Sequence, residues 1–220
     1  GDVTFSKAIG LTNSLGGLSI NAANGDGDII FTKAIGDTSA GVSGTTTVGN
    51  SATNQIRFLE NTYTFGGGVT TFTTATGDKI KLEKTAATTF TTAGTAINFA
   101  GGTIKLSDAS DLTVNSVGGA ISIAAIGGAS DETVTLNAND AANANPDSTT
   151  ETVTLGAVGD TSQTEIHNLT VSADDGITLT GAIYTSDHAS DGSKGDIVFN
   201  DAVKVNGTVV VDSENGIITF

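Results

Sequence analysis

Cysteine, methionine and tryptophan are all missing from these 220 residues. Without cysteine there is neither a disulfide nor a thiolate metal ligand. That usage fits an exported bacterial surface protein. Basic residues are scarce, 9 against 24 acidic, for a formal net charge of -15, and Arg57 is the one arginine. Phosphate backbones and anionic lipids bind through basic surface, so neither a nucleic acid nor a membrane is an expected partner. No apolar run approaches the roughly 18 residues of a membrane helix, so no insertion is expected. Methionine is absent even from position 1, which reads as a processed product or a segment of something longer. Helical periodicity and Leu/Glu/Lys/Arg-rich runs are lacking too, which argues against helices.

What is present is a repeat. GDVTFSKAIG at Gly1 and GDIIFTKAIG at Gly27 are identical at seven of ten positions. GDIVFNDAV follows at Gly195, and the chain ends on NGIITF. Around them runs a two-residue alternation in strands of three to five residues. The inward pairs are Val3/Phe5, Leu18/Ile20, Ile29/Phe31, Ile56/Phe58, Ile80/Leu82, Ile97/Phe99, Ile104/Leu106, Leu112/Val114 and Ile121/Ile123. Val134/Leu136, Val153/Leu155, Leu169/Val171, Ile177/Leu179, Ile197/Phe199, Val203/Val205, Val209/Val211 and Ile218/Phe220 complete the series. Gly-Gly, Asn-Gly and Asp-Gly pairs separate them, accepting the positive φ of sharp corners.

LSINAANGDGDIIFTKAI at Leu18 matches LTVSADDGITLTGAI at Leu169, which implies a unit of roughly 20–26 residues. A unit that short cannot bury its own apolar face, whereas a stack of them buries a continuous column. The expected fold is all-β, a right-handed parallel β-helix (β-solenoid) spanning 1–220 as one segment. About nine or ten coils spaced ~4.8 Å apart would make a rod roughly 45 Å long. Phe5, Phe31, Phe199 and Phe220 hold similar places in their units and are candidates to stack inside. The alternative is one or two antiparallel β-sandwiches, which also use strands every 8–12 residues. Polar stretches at 37–54, 137–151 and 184–194 carry no clear buried pair and read as loop excursions.

GGLSINAANGDGDIIFTKAIG, echoed by NLTVSADDGITLTGAI and GDIVFNDAVKVNGTVVV, resembles the repeats of filamentous-haemagglutinin-like adhesins. The likeness covers both ends well and Asp37–Phe72 poorly, and no N-terminal capping and secretion segment is seen. It implies an extracellular, cell-surface shaft with no catalytic residues. Its partners would be a host or neighbouring cell surface, extracellular matrix or glycans met through loops, with axial self-association as a further option. A self-assembling surface filament or surface-layer component is the alternative role, and a carbohydrate-active β-helix enzyme the third.

The acidic corners are the main site candidates. Asn24-Gly25-Asp26-Gly27-Asp28 begins like an oxygen-ligand calcium loop. Counted from Asn24, Ile29 and Ile35 stand where that loop needs glycine and glutamate. Calcium candidates are thus Asp26, Asp28, Asp187 and Asp191, with Asp196 beside them, and no other cofactor is expected. His167 and His188 lie apart in sequence and give no metal or triad signature. Paired carboxylates could serve glycoside hydrolysis, but aromatic platforms are lacking. Threonine tracts at Thr70–Thr74 and Thr88–Thr92 could form water-ordering hydroxyl rows. Their threonines show no fixed repeat position, and strand propensity accounts for them.

Overall fold

Short β-branched runs between glycine corners have one economical arrangement, and the computed structural model adopts it. Parallel strands stack as a β-solenoid of about seven turns, with no helix among the described residues. The structure describes residues 1–220 except 22–26, 37–38, 40, 108, 130, 141–150, 160–164 and 189–190, and gives the backbone alone at 78 and 79. Parallel pairing throughout excludes the antiparallel sandwich.

Each coil has three faces. Face 1 stacks Val3–Phe5, Asp28–Phe31, Gln55–Phe58, Asp78–Leu82 and Thr103–Leu106, and then continues through Ile126, Val158, Ile183–Tyr184 and Val211–Asp212. Face 2 stacks Thr62–Thr64, Thr88–Thr91, Leu112–Asn115, Thr133–Asn137, Asn168–Ser172, Ile197–Phe199 and Ile218–Thr219. Face 3 runs from Leu18–Ile20 through Thr46–Gly49, Thr70–Thr73 and Ile97–Ala100. It ends with Ile121–Ile123, Val153–Leu155, Ile177–Leu179 and Val203–Val205.

The first repeat is a true stack. Val3, Thr4 and Phe5 pair with Ile29, Ile30 and Phe31. The decamer's closing glycines, Gly10 and Gly36, both have positive φ, 67° and 65°. A Cβ on Gly36 would come within 2.5 Å of the Ser39 carbonyl oxygen, so only glycine fits. The later copies lie elsewhere. GDIVF and NGIITF belong to face 2, where Ile197 pairs with Ile218. The four phenylalanines accordingly form two stacks, Phe5–Phe31 with rings 5.2 Å apart and Phe199–Phe220 at 5.4 Å.

Corner aspartates, two of them in the motif, join coils. Asp2 Oδ1 accepts the Asp28 N–H (3.0 Å), Asp111 Oδ1 that of Thr133 (2.7 Å) and Asp196 Oδ1 that of Ile217 (2.8 Å). Asn168 Oδ1 does the same for Asp196 (2.9 Å). At a corner the regular ladder lapses, and the side chain supplies the missing acceptor.

Inward pairs from Ile20 to Phe199 form one continuous buried column. Its middle is aromatic: Phe58 meets Phe31, Tyr63, Phe72 and Phe90 at centroid distances of 4.7–5.3 Å. The expected inward residues of the last coil differ, since Val205, Ile218 and Phe220 are exposed.

Four sequence expectations need correction. Coils vary more in length than expected, since the step from Ile126 to the Val158 stacked beside it exceeds the expected unit while the step from Ile104 to Ile126 lies within it, and the solenoid has about seven turns. The stretch 37–54 is not wholly an excursion, because Thr46–Gly49 pairs on both sides and buries Thr46 and Val48. In 184–194, Tyr184 pairs with Asp212 and Thr185 bridges Ile166, so the departure starts later. Of the 137–151 stretch, 141–150 lies outside the described residues. Finally, threonines do recur at fixed positions once the coils are aligned, most regularly on face 2.

Candidate functional site

The corner leading into face 2 brings together the two histidines that sequence reading kept apart. Their rings meet edge to face with centroids 5.1 Å apart. Glu132 and His167 occupy that corner in successive coils, with the His167 and Asn168 N–H groups donating to the Glu132 carbonyl. His188 arrives on the segment that leaves face 1 one coil later.

His167 is buried, 6 % exposed. Its Nδ1 lies 3.2 Å from the Ser186 carbonyl oxygen and its Nε2 3.3 Å from Ser193 Oγ. A carbonyl can only accept, so the proton sits on Nδ1 and Ser193 donates to Nε2. His188 Nδ1 stands 3.6 Å from Asp131 Oδ1 and 3.4 Å from Asp191 Oδ1. Ser193 N–H donates to Asp191 Oδ1, and this bond chiefly holds the Asp191 carboxyl below its ordinary value. Asp187 Oδ2 accepts from Lys194 Nζ (2.6 Å) and Asn215 Nδ2 (3.1 Å). The lysine bond is the main cause of that carboxyl's lowered pKa.

Glu132 is the opposite case. It is fully buried, its Oε2 accepts the Ala129 and Asp131 N–H groups, and its Oε1 has no hydrogen-bond partner. Loss of hydration outweighs the two N–H contacts and raises its pKa.

The calcium candidates fall in separate places. Asp28 stands on face 1, its Oδ1 accepting from Asn54 Nδ2 at 2.8 Å, and Asp26 lies outside the described residues. Asp187 and Asp191 share the histidine corner, and Asp196 serves the Ile217 N–H. Among the described residues no three His, Asp or Glu side chains converge as a metal site would require.

Chemically, Ser193 and His167 are the start of a nucleophile–base pair. The group orienting the imidazole is a neutral carbonyl, which stabilises an imidazolium less than a carboxylate does. A shallow groove of about 170 Å³ opens nearby, lined by Glu165, Tyr184, Thr185, Asp212 and Glu214. Its lining includes neither Ser193 nor His167. The corner's contacts thus tie residues 186–188 and 191–195 to the rod. The step from His167 to His188 is close to one coil, and residues one coil apart share a corner. That spacing is the signal that could have paired the histidines. No family model, curated protein or solved structure matches the chain.

Proposed function

We propose that the chain is a non-enzymatic shaft or spacer segment of a large exported bacterial surface adhesin. The supporting observation is the parallel strand pairing that runs from coil to coil along each face, with one apolar column inside. Such a rod carries load through backbone hydrogen bonds and apolar contacts shared between neighbouring coils, while protruding corners vary its surface. Partners would be cell surfaces, matrix or glycans.

Single-molecule pulling along the axis tests this reading. Coils should detach in sequence, each releasing about 26 residues, or roughly 90 Å of extended chain. Collapse in one low-force step would sink the shaft reading. So would turnover of a glycan that disappears in His167→Ala and Ser193→Ala.

A second reading, axial self-association into a filament, is favoured by where large apolar side chains are exposed. Leu11 and Leu15 lie in the first coil, and Val205, Val210, Ile217, Ile218 and Phe220 in the last. Among the described residues, only Val69 is a large apolar side chain exposed elsewhere. Small-angle scattering decides between them: a filament lengthens as concentration rises, and a lone rod keeps one length.

A further inference from the structure

We propose that face 2 is an ice-binding surface. Its outward positions form a two-column array that the linear sequence hides. Thr62, Thr89, Thr113, Thr135 and Thr170 stand in strict register on five successive coils. Beside them run Thr64, Thr91, Asn115, Asn137 and Ser172, one rung each. All ten are partly exposed, and the residues between the columns, Tyr63 to Val171, point into the core.

Four properties of the array suit a crystalline water surface. The spacing is the first: ~4.8 Å between coils and ~6.6 Å between columns make a regular two-dimensional grid on the scale of water-to-water spacings in a crystal. Stiffness comes next, since threonine has few χ1 choices and is further restricted in a strand, so little side-chain entropy is lost on binding. Thirdly, threonine offers a hydroxyl to anchor a lattice water and a methyl to confine its neighbours. Lastly, the ten positions hold no charge although the chain has 24 acidic and 9 basic residues. Charged groups would orient water against the lattice. Asn115 and Asn137 use Oδ1 for their own turns, leaving Nδ2 as a donor.

The other two faces lack this combination. Outward on face 1, Arg57, Lys81 and Lys105 stack in register, and Arg57 holds Glu83 in a two-pronged ion pair. Face 3 has one polar column, Ser19 to Thr178, which ends on Lys204, and its second outward row, Gly49, Thr73 and Ala100, is mostly without hydroxyls. A crystalline polysaccharide would stack its sugar rings on outward aromatics, and face 2 turns Tyr63 and Phe90 inward.

Ice-affinity partitioning of the whole chain is the test, with Thr113→Lys/Thr135→Lys on face 2 and Thr47→Lys/Thr154→Lys on face 3. The unmodified chain should enter slowly grown ice, the face 3 pair should follow it, and the face 2 pair should be left in the liquid. Circular dichroism establishes that each variant is folded. Should the face 2 lysine pair fail to fold, Thr113→Ser/Thr135→Ser keeps the hydroxyls, removes two methyls and should lower partitioning. Exclusion of the unmodified chain from ice overturns the proposal. Equal loss in both lysine pairs, undiminished partitioning of the serine pair, or retention on cellulose or chitin without entry into ice does so too.

Discussion

Two Asn-Gly pairs occupy corners of the last coil, and their surroundings set different chemical fates. Deamidation requires the glycine nitrogen to attack the asparagine Cγ, expelling ammonia and leaving a succinimide that water opens to aspartate or isoaspartate. At Asn215 both partners are held: Nδ2 donates to Asp187 Oδ2, and the Gly216 N–H donates to the Ser213 carbonyl at 2.8 Å. Asn206 is exposed, and Gly207, at φ 101°, has open space around it. Peptide mapping after incubation in mildly alkaline buffer should show amide-to-acid conversion at Asn206 before Asn215. Asp187→Ala should speed the reaction at Asn215. The same corner carries two titrations of opposite sign. Asp187, lowered from its ordinary 3.8, contributes stability that is present above that value and lost as pH falls through its folded pKa. Glu132, raised from 4.5, contributes stability present below that value and lost as pH rises through its folded pKa. In urea titrations, Asp187→Asn should therefore destabilise most above pH 3.8, and its effect should fade in acid. Glu132→Gln should gain on the unmodified chain as pH rises above 4.5. Parallel pH curves for variant and parent would contradict both assignments.

Three strands bury a threonine where their neighbours bury a hydrocarbon. Thr46 and Thr70 are stacked between Leu18 and Ile97 on face 3, and Thr88 lies under Leu112 on face 2. Their hydroxyls have no hydrogen-bond partner and no exposure. A buried donor left unmade costs about 1–3 kcal/mol, so the near-isosteric Thr70→Val should stabilise by about 1 kcal/mol. Thr47→Val, on the exposed side of the adjoining strand, should change the urea midpoint little; a lower midpoint for Thr70→Val would mean the hydroxyl is satisfied. These strands also mark where the sequence was legible. Ile29/Phe31 and Leu169/Val171 announce themselves because both inward residues are apolar. Thr46/Val48, Thr70/Phe72 and Thr88/Phe90 do not, since an inward threonine resembles an outward one, and 37–54 reads as loop for that reason. Vertical register is hidden more deeply. Coils differ in length, as the steps from Ile56 to Ile80 and from Ile126 to Val158 show, and no residue marks where each one closes. GDIVF at Gly195 therefore reads as holding the same place in its unit as GDIIF, although it lies on another face. The face 2 threonines and the His167–His188 contact depend on that register, and neither is readable without it.

Across the molecule, each coil touches only the coils beside it, so stability is a sum of local terms. Those terms are uneven. Phe58, Tyr63, Phe72, Phe90 and Phe99 form a connected aromatic cluster in the coils spanning 56–99. The last coil offers Val203, Val209 and Val211 only partly buried, with Ile218 and Phe220 exposed. Aromatic pairs contribute about 0.5–1.5 kcal/mol each beyond the area they bury, which places the most stable unit in the aromatic coils. Native-state hydrogen exchange should be slowest at 55–58, 70–73 and 88–91 and fastest at 203–205, 211–212 and 218–219. Phe58→Ala removes a ring that meets four others and should cost about 3–5 kcal/mol. In a chain of locally coupled coils, that loss reaches the strands around Phe58 and leaves exchange in the last coils nearly unchanged. Equal acceleration at every amide would mean that the solenoid opens as one cooperative unit. A rod that opens locally can lose a terminal coil to strain while its aromatic centre holds, which is the behaviour a load-bearing spacer needs.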